Sequence, residues 1–449
     1  MKLHEQLTVL HYFRQTRRRH WSSRSELERW QEAHIRAHIE RVRRGSPFYR
    51  ELWKGRPTGE WREFPMIGKA EMMTHFDTFN TVGLGKKEAW AAAVEAERTR
   101  STAPELRGCA IGLSSGTSGS RGLFIVSRKE RLAWAGTVLA KVLPGSLREA
   151  HRIAFFLRAN NELYGSVGSR RIAFDFYDLL QPLGAHVRRL NERPPTLLVA
   201  PPSVLRLLAA AQRRAVLRIR PRKIVAVAEA LDPLDRAEIE AAFGQPLHQV
   251  YQCTEGLLAA TCAEGRLHIN EDIVHIQQEL LDAAAGKFVP IVTDFSRLAQ
   301  PIVRYRLNDV LTIAAAPCRC GSPFAALDAV EGRCDDIWYV PARGRTGLVR
   351  LFADYVSRAI IGAHAGLEAY RAIQHAPERI EIELAAPPER LAAAEQAVRQ
   401  ALAALCVRVG GRMPAELTFS AYRPPAGDRK LRRVERRFAV DESRDPIVE

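Results

Sequence analysis

The sequence predicts an α/β protein of two domains: a large N-terminal domain with mixed sheets and helices over residues 1–335, and a small α+β C-terminal domain over 336–449. Three observations carry this. Short apolar runs at 153–157, 197–200 and 224–228 suit buried strands and have helical segments between them, the alternation of an α/β fold. The last hundred or so residues switch to a half-exposed strand pattern followed by a one-sided helix. A chain of 449 residues, 46% hydrophobic and 26% charged, is long enough for more than one core.

The first hundred residues read as mostly helical. Ile35, Ile39 and Val42 recur at helical spacing among charges, and that segment ends near Gly45, Ser46 and Pro47. The pattern changes from Arg107. One later helix is well bounded: Asp232 can cap its start, Pro233 fits the first turn, and Gly244 after Phe243 can close its end. In the C-terminal part Ile380, Ile382 and Leu384 alternate as in a strand. A helix with Leu391, Val398, Leu402 and Leu405 on one side follows, and a strand around 417–419 completes a β-α-β unit. The boundary is expected close to Asp335 and Asp336. There is no internal repeat and no low-complexity segment.

A net charge of +16 and a pI near 9.9 raise the question of a nucleic-acid partner. Apart from Arg17, Arg18 and Arg19 and the tail around Arg432, Arg433, Arg436 and Arg437, the basic residues are scattered, and no nucleic-acid-binding motif accompanies them. Solvated basic faces are the expected reading. No stretch approaches the roughly 20 apolar residues of a membrane helix, and the N-terminus has no small-residue cleavage site, so no membrane partner and a cytoplasmic location are expected. Seven thinly spread cysteines point to reduced thiols, with metal binding as the exception to look for.

The most informative segment is LSSGTSGSRG at 113–122, three glycines and five hydroxyl residues between two apolar stretches. Glycine lets the backbone approach a ligand closely, while backbone N–H groups and the hydroxyls of Ser114, Ser115, Thr117 and Ser118 can donate to phosphate oxygens. It is not a Walker loop, because no Gly-Lys-Ser/Thr follows. Residues 112–116 also match G-x-S-x-G, the nucleophile elbow of serine hydrolases. That elbow must turn a strand directly into a helix, whereas here Gly119 and Gly122 prolong the loop and a second strand is expected at 123–126.

Downstream, Tyr251, Gln252, Cys253, Thr254 and Glu255 follow an apolar stretch. An aromatic there can stack on a base, a hydroxyl can meet phosphate and a carboxylate can hold magnesium. RYRLND at 304–309 offers Asp309, a carboxylate able to accept both hydroxyls of a ribose, with arginines nearby for anionic groups.

LSSGTSG, AEAL at 228–231, YQCTE, RYRLND, GRCDD and a late lysine occur in the order found in the adenylate-forming superfamily, and the resemblance spans nearly the whole chain. SPFYREL at 46–52 and FPMIGK at 64–69 make it resemble the phenylacetate-CoA ligase-like branch. The resemblance implies ATP-dependent activation of a carboxylic acid to its acyl-AMP, with magnesium and release of pyrophosphate. Transfer to coenzyme A or another thiol, such as that of a carrier protein, would follow. Aromatic acids are the commonest expectation. It implies that Ser114, Ser115, Gly116, Thr117, Ser118 and Gly119 hold the phosphates, that Ala228 and Glu229 border the adenine, and that Tyr251 packs against it. Thr254 and Glu255 would face phosphates and magnesium, Asp309 the ribose and Arg333 the nucleotide. Lys430 would be the catalytic lysine, and Asp335 the hinge of a mobile C-terminal domain. Three positions depart from the family pattern: Ser120 stands where a lysine is usual, and Asn308 and Arg429 replace glycines. A catalytically inactive nucleotide-binding protein of the same fold is the alternative these departures leave open.

Cys262 and His268, separated by five residues, and Cys318 and Cys320 in CRCG supply four soft ligands of the Cys₃His type, suited to structural zinc. The wide spacing leaves buried free thiols and a surface histidine as the alternative.

Overall fold

The computed structural model describes residues 3–99, 105–114, 121–157, 168–169, 171–423, 431–440 and 446–447. The chain forms two compact units. The first comprises Met1–Glu229, Glu238–Leu307 and Leu311–Val330; the second comprises Ala230–Ala237, Asn308–Val310 and Glu331–Glu449.

The first unit opens with helices Leu3–Arg18, Arg24–Gly45, Pro47–Leu52, Lys69–Thr74, Phe76–Phe79 and Lys86–Thr99, in agreement with the helical character of the first hundred residues. Arg24–Gly45 starts where the Ser23 side chain accepts from the Glu26 N–H, and it buries Leu27, Gln31, Ile35, His38, Ile39 and Val42 along one face. Ser46 ends this helix through its N–H to Val42 O at 2.8 Å, and its side chain caps the next one at Tyr49 N. Tyr49, Trp53, Trp61 and Phe64 pack beneath with Phe288, Val292, Ile302 and Tyr305 into one core cluster.

A small antiparallel sheet follows, of β1 (Glu105–Leu106), β2 (Cys109–Leu113) and β3 (Leu123–Ser127). Next to it lies the main sheet. Its parallel part is β4 (His151–Leu157), β5 (Ile172–Asp178), β6 (Leu197–Ala200), β7 (Lys223–Ala226) and β8 (Leu247–Cys253), in spatial order β5-β4-β6-β7-β8. Helices Leu183–Glu192, Pro202–Arg213 and Pro233–Phe243 make the crossovers. The last begins as expected, with Leu234 N on Asp232 Oδ1 at 2.9 Å, and is followed by Gly244 at φ +64°. β8 then pairs antiparallel with β9 (Gly256–Thr261). The sheet continues through β10 (Leu267–Ile269), β15 (Ala326–Arg333), β14 (Asp309–Ile313), β12 (Lys287–Asp294) and β11 (Val274–Asp282), with β13 (Ile302–Arg306) on β12.

The second unit carries the hairpin β16 (Trp338–Pro341) and β17 (Leu348–Leu351). It also carries a four-stranded sheet of β18 (Ala369–Ala376), β19 (Arg379–Ala385), β20 (Glu416–Ala421) and β21 (Val434–Arg436), ordered β20-β19-β18-β21. β19, helix Pro388–Arg408 and parallel β20 form the anticipated β-α-β unit, in which Ile380, Ile382, Leu384, Val398, Leu402 and Leu405 are buried together. A charged cluster also lies in this unit. Arg433 pairs with Asp235 and sits 3.9 Å from Asp232, while the Tyr370 hydroxyl donates to Asp232 Oδ2 at 2.6 Å. Burial alone lowers the Arg433 pKa, but Asp235, Asp232 and Tyr370 outweigh it and raise it.

Candidate functional site

In an open parallel sheet the carboxyl ends of the strands are where ligands bind, because loops of neighbouring strands converge there. The register Ala226↔Gln249 sets β7 beside β8, so residues following Ala226 and Cys253 leave the sheet at the same end. Ala228 sits there with φ +68°, a left-handed conformation that costs an L-residue roughly 1–2 kcal/mol. Glu229 accepts from Ser203 N and Ser203 Oγ, both at 3.1 Å, and so satisfies an amide at the start of helix Pro202–Arg213. Tyr251, inside β8, is buried in the core cluster that also contains Tyr305.

Thr254 and Glu255 form the turn from β8 to β9, with Thr254 Oγ1 on Glu255 Oε2 at 2.9 Å. The Tyr305 hydroxyl hydrogen-bonds Glu255; burial first, and then this carboxylate, raise the Tyr305 pKa far above the phenolic value. Arg297, buried, donates to Thr254 O and, at 3.0 Å, to Ile125 O of β3. β9 itself is buried at every position from Gly256 to Thr261.

The glycine and hydroxyl segment is flanked by the paired strands β2 and β3. Leu113 pairs with Leu123, and Ser114 closes the neck: its N–H donates to Gly122 O and its Oγ accepts from Gly122 N, both at 2.8 Å. A strand enters and a strand leaves, so the geometry is not that of a nucleophile elbow. Lys69 Nζ lies 3.4 Å from Ser114 Oγ, and Arg121 Nε donates to Ser114 O at 3.1 Å. Ser115, Gly116, Thr117, Ser118 and Gly119 lie outside the described residues, as does Lys430.

In the second unit Asn308 Nδ2 donates to Asp335 Oδ2 at 2.6 Å, and Cys334 N donates to Asn308 O at 3.0 Å. Asp309 opens β14 and Arg333 ends β15, both half-buried.

The four soft ligands meet within the first unit. The ligand atoms of Cys262, His268, Cys318 and Cys320 all lie within 4.8 Å of one another. Cys262 Sγ is 3.8 Å from Cys318 Sγ, and Cys320 Sγ is 3.5 Å from His268 Nε2. Tetrahedral zinc with bonds of about 2.3 Å to sulfur and 2.0–2.1 Å to nitrogen requires edges of about 3.8 Å and 3.5 Å, so the spacing fits. His268 Nδ1 is 3.0 Å from Phe324 O, which fixes the tautomer that leaves Nε2 free to ligate. The Cys320 backbone N–H, ahead of the neighbouring His268 and thiols, holds the Cys318 thiol down to about 7.

The residues that sequence reasoning missed are Arg297 and Gln300 in the loop after β12. They belong to no motif and reach their partners only through the fold: Gln300 Oε1 accepts from Ile125 N at 2.9 Å across 175 residues.

No protein-family model and no curated protein matches the chain. Solved structures do. A 2-hydroxyisobutyryl-CoA ligase, in the postadenylation state in complex with R3-HIB-AMP, matches with a TM-score of 0.68 at 17% identity over 91% of this chain and 89% of that one. The chain has the adenylate-forming ligase fold. An anthranilate CoA ligase in complex with anthranoyl-AMP matches with a TM-score of 0.50 at 16% identity, over 72% and 66% of the two chains. An amide bond synthetase from Marinactinospora thermotolerans also scores 0.50, at 15% identity over 72% and 67%.

Proposed function

We propose that this protein activates a carboxylic acid with ATP as its acyl-AMP, releasing pyrophosphate, and passes the acyl group to coenzyme A or another thiol. The observation that carries the reading is the joining of two motifs far apart in sequence. Arg297 ties the Thr254–Glu255 turn to the hairpin that bears the glycine and hydroxyl loop, at the carboxyl end of the parallel strands. The similarity in fold to ligases solved with acyl-AMP compounds supports it.

On this reading residues 114–119 hold the phosphates, Ala228 and Glu229 border the adenine, and Tyr251 backs it. The left-handed Ala228 turns the chain sharply just beyond β7, which suits a backbone that must meet a flat ring. Glu255, held by Tyr305 and Thr254, is the ligand for magnesium, which when bound neutralises charge on the phosphates. Asp309 takes the ribose, Arg333 the nucleotide, and Lys430 the charge that shifts between carboxylate and α-phosphate. The acid is an aromatic one by resemblance. The Cys262, His268, Cys318 and Cys320 set holds structural zinc, a role favoured by four protein ligands that fill a tetrahedron without an open position. Among the described residues no disulfide is formed, which suits a reducing compartment such as the cytoplasm. Among the described residues no helix is long and apolar enough to cross a membrane.

The test is acid-dependent exchange of labelled pyrophosphate into ATP with magnesium, screened over aromatic, aliphatic hydroxy, fatty and amino acids, for wild type and Lys430→Ala. Exchange with one acid class that falls by a factor of at least about 100 in the variant is the expected result. ATP binding without exchange for any acid would establish the inactive nucleotide-binding alternative.

A further inference from the structure

We propose that the exposed turn after helix Pro202–Arg213 is a docking surface for a membrane rich in anionic lipid. It lies within the first unit and is independent of the adenylation reading.

Charge is the first observation. From Arg193 to Ala228 the sequence holds eight Lys and Arg residues and no Asp or Glu, and six of the eight fall in RRAVLRIRPRK at 213–223. Carboxylates from elsewhere reach some of them: Glu238 pairs with Arg206 and Arg213, and Glu149 with Arg222. Arg214, Arg218 and Arg220 are exposed, and among the described residues no carboxylate pairs with them. Buried Leu217, Ile219 and Pro221 alternate with exposed Arg218, Arg220 and Arg222, which turns these three arginines to solvent.

The second observation is Val216, 57% exposed among these arginines. Its backbone is pinned. Val216 N and Leu217 N both donate to Ala211 O, Ala215 is left-handed at φ +56°, and Asn191 Nδ2 donates to Val216 O at 2.9 Å. Asn191 Oδ1 accepts from Arg218 N at 2.8 Å, and Gln212 Oε1 from Ile219 N at 3.4 Å. An apolar side chain presented on a fixed backbone loses little further entropy on docking. Leu207, 53% exposed, adds apolar surface on the helix face that carries Arg214 seven residues on.

The combination selects the partner. Arginines meet the phosphates and carboxylates of anionic headgroups, while an apolar tip at their level enters the boundary with the acyl chains. A nucleic acid would use the cations and gain little from a valine, since stacking on bases needs an aromatic ring and 193–228 contains none. An acidic carrier protein would have to reach the carboxyl ends of the parallel strands. This turn is at their amino ends, where Arg222 N donates to Thr196 O just before β6. Docking here leaves the carboxyl ends open, and a surface that rests on headgroups needs no spanning helix.

The test is co-sedimentation of the full chain with vesicles of phosphatidylcholine, with and without phosphatidylserine, at low and high salt. Wild type should bind only the vesicles with phosphatidylserine and leave them as salt rises. A basic residue near an anionic surface is worth about fivefold in partitioning, so Arg214→Gln, Arg218→Gln and Arg220→Gln together should weaken binding about 100-fold. Val216→Ser should weaken it roughly tenfold. Arg29→Gln, Arg41→Gln and Lys54→Gln, an equal loss of charge from exposed positions elsewhere, should change it by no more than about threefold. Thermal midpoints equal to wild type check that each variant is folded. Equal weakening by the two triple variants would overturn the proposal, because net charge alone would then be the cause. So would a wild-type chain that leaves phosphatidylserine vesicles unbound at low salt. Unchanged binding in Val216→Ser, with single-stranded RNA bound more tightly than vesicles, would also overturn it and make the turn a nucleic-acid surface.

Discussion

Asp294 ends β12 and is 1% exposed. Its Oδ1 accepts from Ser296 N at 2.8 Å and Ser296 Oγ at 2.6 Å. Its Oδ2 faces Gly256, where an added Cβ would lie only 2.6 Å away, so water has no room on that side. Burial raises its pKa from 3.8 to about 6, against the opposing pull of Ser296 and Arg297, with Glu130 adding to the rise. The folded-state value lies above the unfolded one. Below about pH 4 the group is protonated in both states and costs nothing. Between about 4 and 6 the unfolded chain loses the proton first, so stability falls as pH rises, and above 6 the full cost remains. A shift of about two units corresponds to roughly 3 kcal/mol. Asp294→Asn keeps an acceptor for Ser296 and removes the ionisation. It should therefore stabilise the chain by roughly 3 kcal/mol at pH 8 and change little at pH 4. Urea unfolding of wild type and variant at several pH values between 4 and 8 measures the difference directly. A stability difference that stays constant across that range would refute the reasoning, because the ionisation would then not be the source of the cost.

Two further outcomes follow from buried charge and from the soft-ligand cluster. Arg433, 7% exposed, faces Asp235 and Asp232, so Arg433→Met leaves two carboxylates without their cation. It should cost about 3–5 kcal/mol, measured as a lower denaturation midpoint, with Asp235→Asn in the same chain returning part of it. The purified chain should carry one zinc per molecule by elemental analysis, and Cys318→Ser should lose it and melt at a lower temperature. A metal-free wild-type chain of unchanged stability would show that the four side chains meet without an ion.

What could be read from the sequence was whatever local pattern determines. The alternation of Ile380, Ile382 and Leu384 and the one-sided helix after it specify a β-α-β unit because each element shows its buried face in its own period. Asp232 and Gly244 bound a helix by chemistry that acts within four residues. The Cys₃His set was visible as residue types, but its convergence was not: His268 and Cys320 are 52 residues apart and are joined only because β10 pairs with β15 just beyond the CRCG loop. Lys69 and Ser114 are 45 residues apart, and their contact depends on Ile67 pairing beside Tyr305, a bridge no periodicity announces.

The same limit hid the residue that joins the β2–β3 hairpin to the β8–β9 turn. β3 is the last strand of its small sheet, and an edge strand leaves a row of backbone groups without a ladder partner. Among the described residues no further strand takes them up. Gln300 instead accepts from Ile125 N and donates to Leu123 O at 3.1 Å, while Arg297 donates to Ile125 O. Because the same guanidinium also donates to Thr254 O, the hairpin is satisfied by a group that belongs equally to the β8–β9 turn. Glu130, at the start of helix Arg128–Val142, binds this loop in turn through the N–H groups of Leu298 and Ala299. A buried donor has nowhere else to place its bonds, so pulling the hairpin from the turn would strand both carbonyls and the arginine together. The position of the β2–β3 hairpin relative to Thr254 and Glu255 is therefore set by the need to satisfy an edge strand, and a motif search, which reads each segment alone, has no means of seeing it.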